Sequence, residues 1–234
     1  MNTTMSTTMN TVKLSRNTFD ILKNFATINT NLLVETGNVI KTLSPMKNIM
    51  AEATVLEDFD IPFGIWDLNK FLGTISLFDK PELEFEEKYV TINGAGGASV
   101  RYHYSDPSLL LTSTKTLNMP EPVVTFELTQ KQFNEIQKAA AVLQVPDICV
   151  RNAGEILQLV ALDKADRGSN SYSIDLGELE TSEDFEFYFR VENLKILPGD
   201  YQVSITEKIV SEFNHKSVDL KYFIAMESDS HYGE

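Results

Sequence analysis

The sequence predicts an α+β protein of two similar domains, each with two helices packed on antiparallel sheets. Three observations predict it. An amphipathic helix pattern in the first half returns in the second, short alternating runs bounded by turn residues surround both copies, and a proline-marked stretch separates them.

The first helix pattern runs from Leu14 to Ile28. Ser15 suits the N-cap, because its hydroxyl can accept one of the backbone N–H groups that a first helical turn leaves unpaired. Phe19, Leu22, Phe25 and Ala26 recur at spacings of three and four and form one apolar stripe. Arg16, Asp20, Lys23 and Thr27 fall on another side. Thr129 to Leu143 has the same grammar, with Thr129 as N-cap, Phe133, Ile136, Ala139, Ala140 and Leu143 as the stripe, and Lys131 and Lys138 on the polar face. Pairing Ser15 with Thr129 also aligns Phe19 with Phe133, Leu22 with Ile136, Phe25 with Ala139 and Ala26 with Ala140. A shorter helix is expected after each copy, at Asp67–Leu72 and Arg190–Lys195, and adds Lys70, Arg190 and Lys195 to the polar faces. Self-similarity at half the chain length indicates two domains of one fold rather than a many-unit solenoid.

Residues 1–11 are Thr, Asn, Ser and Met without periodicity and read as a disordered extension. A first domain is expected over 12–106. Its strands are Asn31–Thr42 folded around a Thr-Gly-Asn turn, Ile49–Val55 and Phe59–Trp66, then a hairpin over Leu83–Ile92, a flexible turn at Asn93–Gly97 and a strand over Ala98–Tyr104. Residues 107–122 read as a connector carrying Pro107, Pro120 and Pro122. Linkers are normally polar, so its Leu109, Leu110, Leu111 and Met119 either pack on the body of the protein or offer a docking groove. A second domain is expected over 123–234, with strands at Val123–Leu128, Asp147–Asn152, Glu155–Leu162, Tyr172–Leu176, Phe185–Phe189, Tyr201–Thr206 and Asp219–Met226. Leu197-Pro-Gly-Asp200 reads as a helix stop and turn, and the acidic Glu227–Glu234 reads as a mobile tail.

The composition, 42% hydrophobic and 23% charged, is that of an ordinary globular protein. No apolar run approaches the roughly 20 residues needed to cross a bilayer, and no basic segment followed by an apolar core marks a secretory signal. One cysteine, Cys149, leaves no internal disulfide and fits a reducing cytoplasm; in its strand context it reads as a buried, inert thiol. The net charge of −14 argues against generic nucleic-acid binding. Placement qualifies the sum, since acids crowd the hairpins and loops while cations sit on the helices' polar sides. A protein acidic outside can carry one basic face.

Catalysis finds little support. His103, His215 and His231 are scattered and lack metal-ligand spacing. Asn93–Gly97 lacks the Lys-Ser/Thr ending of a phosphate loop. Asp58 and Asp60 alternate with Phe59 and Ile61 like the outer face of a strand. An α+β enzyme would need a convergent polar pocket that the sequence does not supply. An acidic viral structural or DNA-mimicking protein would suit the net charge, but it does not account for cations repeated on helix after helix.

Four segments carry a resemblance: Lys23-Asn-Phe-Ala-Thr-Ile-Asn29, Asp67-Leu-Asn-Lys-Phe-Leu-Gly73, Pro198-Gly-Asp-Tyr201 and Ala225-Met-Glu-Ser-Asp-Ser230. From about Val12 onward the chain resembles the sliding clamps of T4-like bacteriophages, which are DNA polymerase processivity factors. The resemblance implies the two-domain clamp fold and a homotrimeric head-to-tail ring, with helices lining a hole for double-stranded DNA and sheets outside. It implies Arg16, Lys23, Lys70, Lys131, Lys138 and Lys195 as DNA-facing residues. The implied partners are the polymerase and clamp loader, which insert C-terminal peptides beside the connector, and late-transcription factors. Leu110, Leu111, Met119 and Ile224 are the expected partner-binding residues. The resemblance implies no cofactor and no ATP hydrolysis, which belongs to the loader, and the cytoplasm of an infected host as the location.

Overall fold

The computed structural model describes residues 11–233 except 113–116, 167, 180, 182, 208 and 209, so almost all of the expected N-terminal extension lies outside the described residues. The chain forms two compact units, one of residues 1–45 and 52–114 and one of 46–51 and 115–234.

The first unit contains β1 (Thr11–Val12), α1 (Arg16–Ile28), β2 (Leu32–Val34), β3 (Gly37–Leu43), most of β4 (Ile49–Phe59), β5 (Phe63–Ile65), α2 (Leu68–Ile75), β6 (Glu82–Phe85), β7 (Tyr89–Asn93) and β8 (Ser99–His103). Its strands run in the orders β1-β6-β7-β8 and β5-β2-β3-β4. Register is set by burial: Leu83, Ile92 and Val100 stand opposite one another across the first sheet, with Leu83 and Ile92 fully buried. The helices bury Ile21, Leu22, Phe25, Phe71 and Leu72 against these sheets.

The second unit contains β9 (Val124–Leu128), α3 (Gln130–Leu143), β10 (Asp147–Ala153), β11 (Ile156–Leu162), β12 (Tyr172–Glu178), β13 (Phe185–Arg190), β14 (Tyr201–Ile205), β15 (Val210–His215), β16 (Leu220–Ala225) and β17 (His231–Tyr232). The orders are β12-β11-β10-β13-β17 and β16-β15-β14-β9. Phe133 and Ile136 of α3 pack into a core with Ile148, Val150, Phe189 and Phe213.

Four expectations are corrected. The second helix of the second unit is only a 3-10 turn at Val191–Asn193, so the described residues hold three α-helices. Arg190 stands just before that turn, bonded to the buried Asp147 at 3.1 Å, and is no part of a polar helix face. In α1 the buried stripe is Thr18, Ile21, Leu22, Phe25, Ala26 and Ile28, while Phe19 is only half-buried at its rim. The acidic tail is pinned through residue 233. The Glu227 N–H donates to the Tyr188 carbonyl, β17 pairs with Phe185 and Glu186, and the Tyr232 ring stacks on Phe185.

Lys164 holds that tail electrostatically, 2.7 Å from Asp229 and 3.4 Å from Glu227. Burial alone would lower the Lys164 pKa, but its bonds to the two carboxylates raise it overall; the same hydrogen bond holds Asp229 below its ordinary value. A raised lysine contributes until pH climbs through its folded pKa, and a depressed carboxylate contributes until pH falls through its own. Docking is therefore expected to persist from neutral pH down past the ordinary aspartate range. Lys164→Ala should expose the tail to limited proteolysis at neutral pH; an unchanged cleavage rate would refute the anchor.

Cys149 is fully buried, and desolvation is the main cause that raises its thiol pKa. It should resist thiol reagents in the native protein and react after denaturation, as mass spectrometry would record.

Candidate nucleic-acid interface

Each helix start is fixed by side chains that take its unpaired N–H groups. In α1 the Ser15 hydroxyl accepts from the Thr18 N–H at 3.1 Å. Beneath it the Glu57 carboxylate of β4, only 8% exposed, accepts from the Ser15 N–H and the Thr18 hydroxyl. A buried anion is thereby set against the positive end of the helix dipole. In α2, Asp67 accepts from the Lys70 N–H at 2.9 Å. In α3, Thr129 and Gln132 form a reciprocal capping box, and Asp200 accepts from the Gln130 N–H at 2.7 Å.

These caps decide which faces reach solvent. On α1, Arg16, Lys23 and Thr27 are exposed, with Phe19 and Asp20 half-buried beside them. Arg16 Nε donates to Asp20 at 3.0 Å, and Lys23 Nζ lies 5.8 Å from the Phe19 ring centroid. α2 lies against α1, tied by a 2.7 Å bond from the Leu68 N–H to the Thr30 carbonyl, and exposes Asn69, Lys70 and Gly73. α3 exposes Lys131, Asn134, Glu135, Lys138 and Ala141. The Glu135 carboxylate accepts the Tyr172 hydroxyl proton, which draws it toward β12. Lys195 is exposed, but it follows the 3-10 turn instead of sitting on an α-helix.

The three helices together carry five cations and two acids, net +3 in a chain of −14. Lys23, Lys70, Lys131 and Lys138 form no ion pair among the described residues. By contrast Lys13, Lys41, Lys164, Arg190 and Lys216 each meet a carboxylate. Exposed, uncompensated lysines on all three helices are suited to loose contact with phosphates, which need charge more than geometry.

The expected partner residues separate. Ile224 is fully buried within β16, whose neighbour is β15, and cannot meet a partner. Leu110 is 9% exposed and packs on Gly64. A Cβ at Gly64 would come within 2.6 Å of the Ser105 carbonyl oxygen and 2.7 Å of Leu110 Cδ1, so only glycine admits the connector there. Leu111 is half-buried and its N–H donates to Asn31 Oδ1 at 3.2 Å; Met119 is also half-buried. Sequence reading missed a cavity of about 310 Å³ at the end of this stretch, lined by Leu33, Glu35, Val39, Lys41, Glu52 and Thr112. Its only signal was the alternation of Val39 and Lys41 about the buried Ile40 along β3.

A family model described as the C-terminal part of the gp45 sliding clamp matches residues 125–228. The sliding clamp of Vibrio phage KVP40 is 33% identical over 222 residues, covering 93% of this chain and all of the relative. The chain belongs to the sliding-clamp family. The sliding clamp of Enterobacteria phage T4 is 27% identical and matches 94% of the chain and 98% of its own length. Two solved structures share the fold. A PCNA2–PCNA3 complex from Sulfolobus tokodaii gives a TM-score of 0.69 at 15% identity, over 94% of this chain and 99% of that one. A. fulgidus PCNA bound to the C-terminal region of FEN-1 gives 0.69 at 14% identity, over 91% and 96%. Family membership makes the chain a DNA polymerase processivity factor, as the sequence resemblance implied.

Proposed function

We propose that three copies close into a ring around duplex DNA, with the exposed faces of α1, α2 and α3 turned toward the phosphates and the replicative polymerase tethered outside. The observation that carries this reading is the set of exposed lysines Lys23, Lys70, Lys131 and Lys138, uncompensated in an otherwise acidic protein. A ring that topology holds on DNA needs no tight grip. Each lysine adds sequence-independent, salt-screened attraction, so the complex is retained without being stopped at any sequence. The −14 chain elsewhere repels the phosphate backbone and leaves the hole as the favourable path.

In this role the chain is a tether and not a catalyst, and ATP hydrolysis falls to a separate loader. Polymerase, clamp loader and late-transcription factors would dock beside the connector, where half-buried Leu111 and Met119 offer apolar surface and a largely polar cavity ends at Thr112. No helix among the described residues is long and apolar enough to cross a membrane, which accords with work in the host cytoplasm. Residues 12–106 and 123–234 would act as the two clamp domains, joined by 107–122.

The deciding experiment is solution mass by light scattering. A value near three times 26.4 kDa supports the ring. A stable monomer at micromolar concentration, unable to raise polymerase product length with loader and ATP present, overturns it and favours the DNA-mimicking alternative.

A further inference from the structure

The sheet β12-β11-β10-β13-β17 of the second unit packs α3 on one face. Ile148, Val150, Leu159 and Phe189 point into that core. Strand alternation therefore turns Arg151, Val160, Leu162, Glu186 and Tyr188 to the opposite face. There the loop between β11 and β12 lies beside them and bounds a cavity of about 320 Å³. Val160 and Leu162 supply its apolar part, and Ser169 and Ser171 add hydroxyls to the lining.

Most of the charged groups around this cavity are occupied in bracing it. The Asp163 carboxylate accepts from the Ala165 N–H at 2.9 Å, and the Asp166 carboxylate accepts from the Gly168 N–H at 2.9 Å. The Lys164 N–H donates to the buried Asp147 at 3.2 Å, while its ammonium holds Asp229 and Glu227. The Glu186 carboxylate takes the Tyr188 hydroxyl. Arg151 is the exception. It stands directly opposite Glu186 in the strand register, yet it makes no ion pair among the described residues. Its Nε is buried and has no hydrogen-bond partner among them. A buried donor without an acceptor costs stability, and native folds keep few such groups.

We propose that this cavity binds a small zwitterion of the amino-acid type, with its carboxylate on Arg151 and its ammonium toward Asp166 and Glu186. The site lies within one unit and does not depend on the ring reading. A planar guanidinium presents paired donors that match a carboxylate. A phosphate is disfavoured, because Asp163, Asp166 and Glu186 line the same cavity and repel a second negative charge. Those acids instead favour a ligand that brings its own cation. Val160 and Leu162 then meet the ligand's methylene groups. The volume lies at the lower end of ligand pockets, which run roughly 300–1,000 Å³, so the ligand is a small one.

Two measurements test this, and the first needs no ligand. Arg151→Met keeps the apolar stem and removes the unpartnered donor, so its melting temperature should equal or exceed that of wild type. A lower melting temperature, or a variant that does not fold, would show that Arg151 serves the fold and would overturn the assignment. The second is a methyl NMR titration of the full chain with glutamine, acetate, methylammonium and inorganic phosphate, each added alone. Glutamine should shift the Val160 and Leu162 methyl signals and bind at least about tenfold more tightly than any of the other three. Arg151→Met should lose this response. Arg151→Lys keeps the charge without the fork and should recover part of it. No shift with glutamine, equal shifts with all four probes, or equal shifts in wild type and Arg151→Met would mean an adventitious additive only and overturn the site.

Discussion

Changing Lys23, Lys70, Lys131 and Lys138 together to glutamate is expected to cut loader-dependent processive synthesis by at least about a hundredfold, with fold and subunit mass unchanged. All four side chains are exposed and have no acid partner among the described residues, so their loss removes little beyond the Lys23 contact with the Phe19 ring. Surface changes of this kind usually alter stability by no more than about 0.5 kcal/mol. Under the proposed ring, what changes is the potential inside the hole, where attraction would become repulsion for every passing phosphate. The measurements are primer-extension product length on a long template and the melting temperature of the same preparation. Single Lys→Ala variants should each have a small effect that raised salt masks, because the field is shared. Full-length products from an intact quadruple variant would refute the basic-lining mechanism. Arg16→Ala should matter less than Lys23→Ala, since Asp20 already offsets Arg16 at 3.0 Å.

Glu57→Ala should lower unfolding stability by about 2–3 kcal/mol, the cost of stranding buried polar partners. Glu57 takes both the Ser15 N–H and the Thr18 hydroxyl, and Thr18 is 1% exposed, so water cannot readily replace the lost acceptor. Glu57→Gln keeps one acceptor oxygen and should recover part of the loss. Asp200→Ala makes the informative contrast. It holds the Gln130 N–H in the same way, but that site is exposed and open to solvent, so about 1 kcal/mol is expected. Urea unfolding of the three variants would measure the order. A loss below about 0.5 kcal/mol for Glu57→Ala would show that the carboxylate is not what secures α1.

The helices were legible because their signals are local. Ser15, Asp67 and Thr129 each take an N–H three residues on, and the stripes follow from spacing alone. The phase of a stripe is less local, which is why Phe19 was placed inside when burial centres on Ile21 and Phe25. Arg190–Lys195 imitated a helix over a segment too short to propagate one, with Pro198 close behind. Ile224, a partner-binding candidate only through the family resemblance, lies in a run where Tyr222, Phe223 and Ile224 are all buried, the signature of a strand covered on both faces. β15 was not expected at all, since Ser211 and His215 are polar residues that the fold buries. The tail's docking depends on Lys164, far away in sequence, and no periodicity reports such a partner. The cation positions could be read from sequence; their lack of acid partners could not.

The helix caps have a consequence for friction. A helix start normally offers several converging N–H groups to an anion and can hold a phosphate firmly. In α1 and α3 that trap is already filled by the chain itself, by Ser15 with the buried Glu57 and by Thr129 with the exposed Asp200. In the proposed ring a passing backbone would therefore meet mainly lysine ammonium groups and the Arg16 guanidinium on long, swinging stems, which hand a phosphate on as readily as they take it. The chain's own carboxylates that secure the helices would also act as a lubricant.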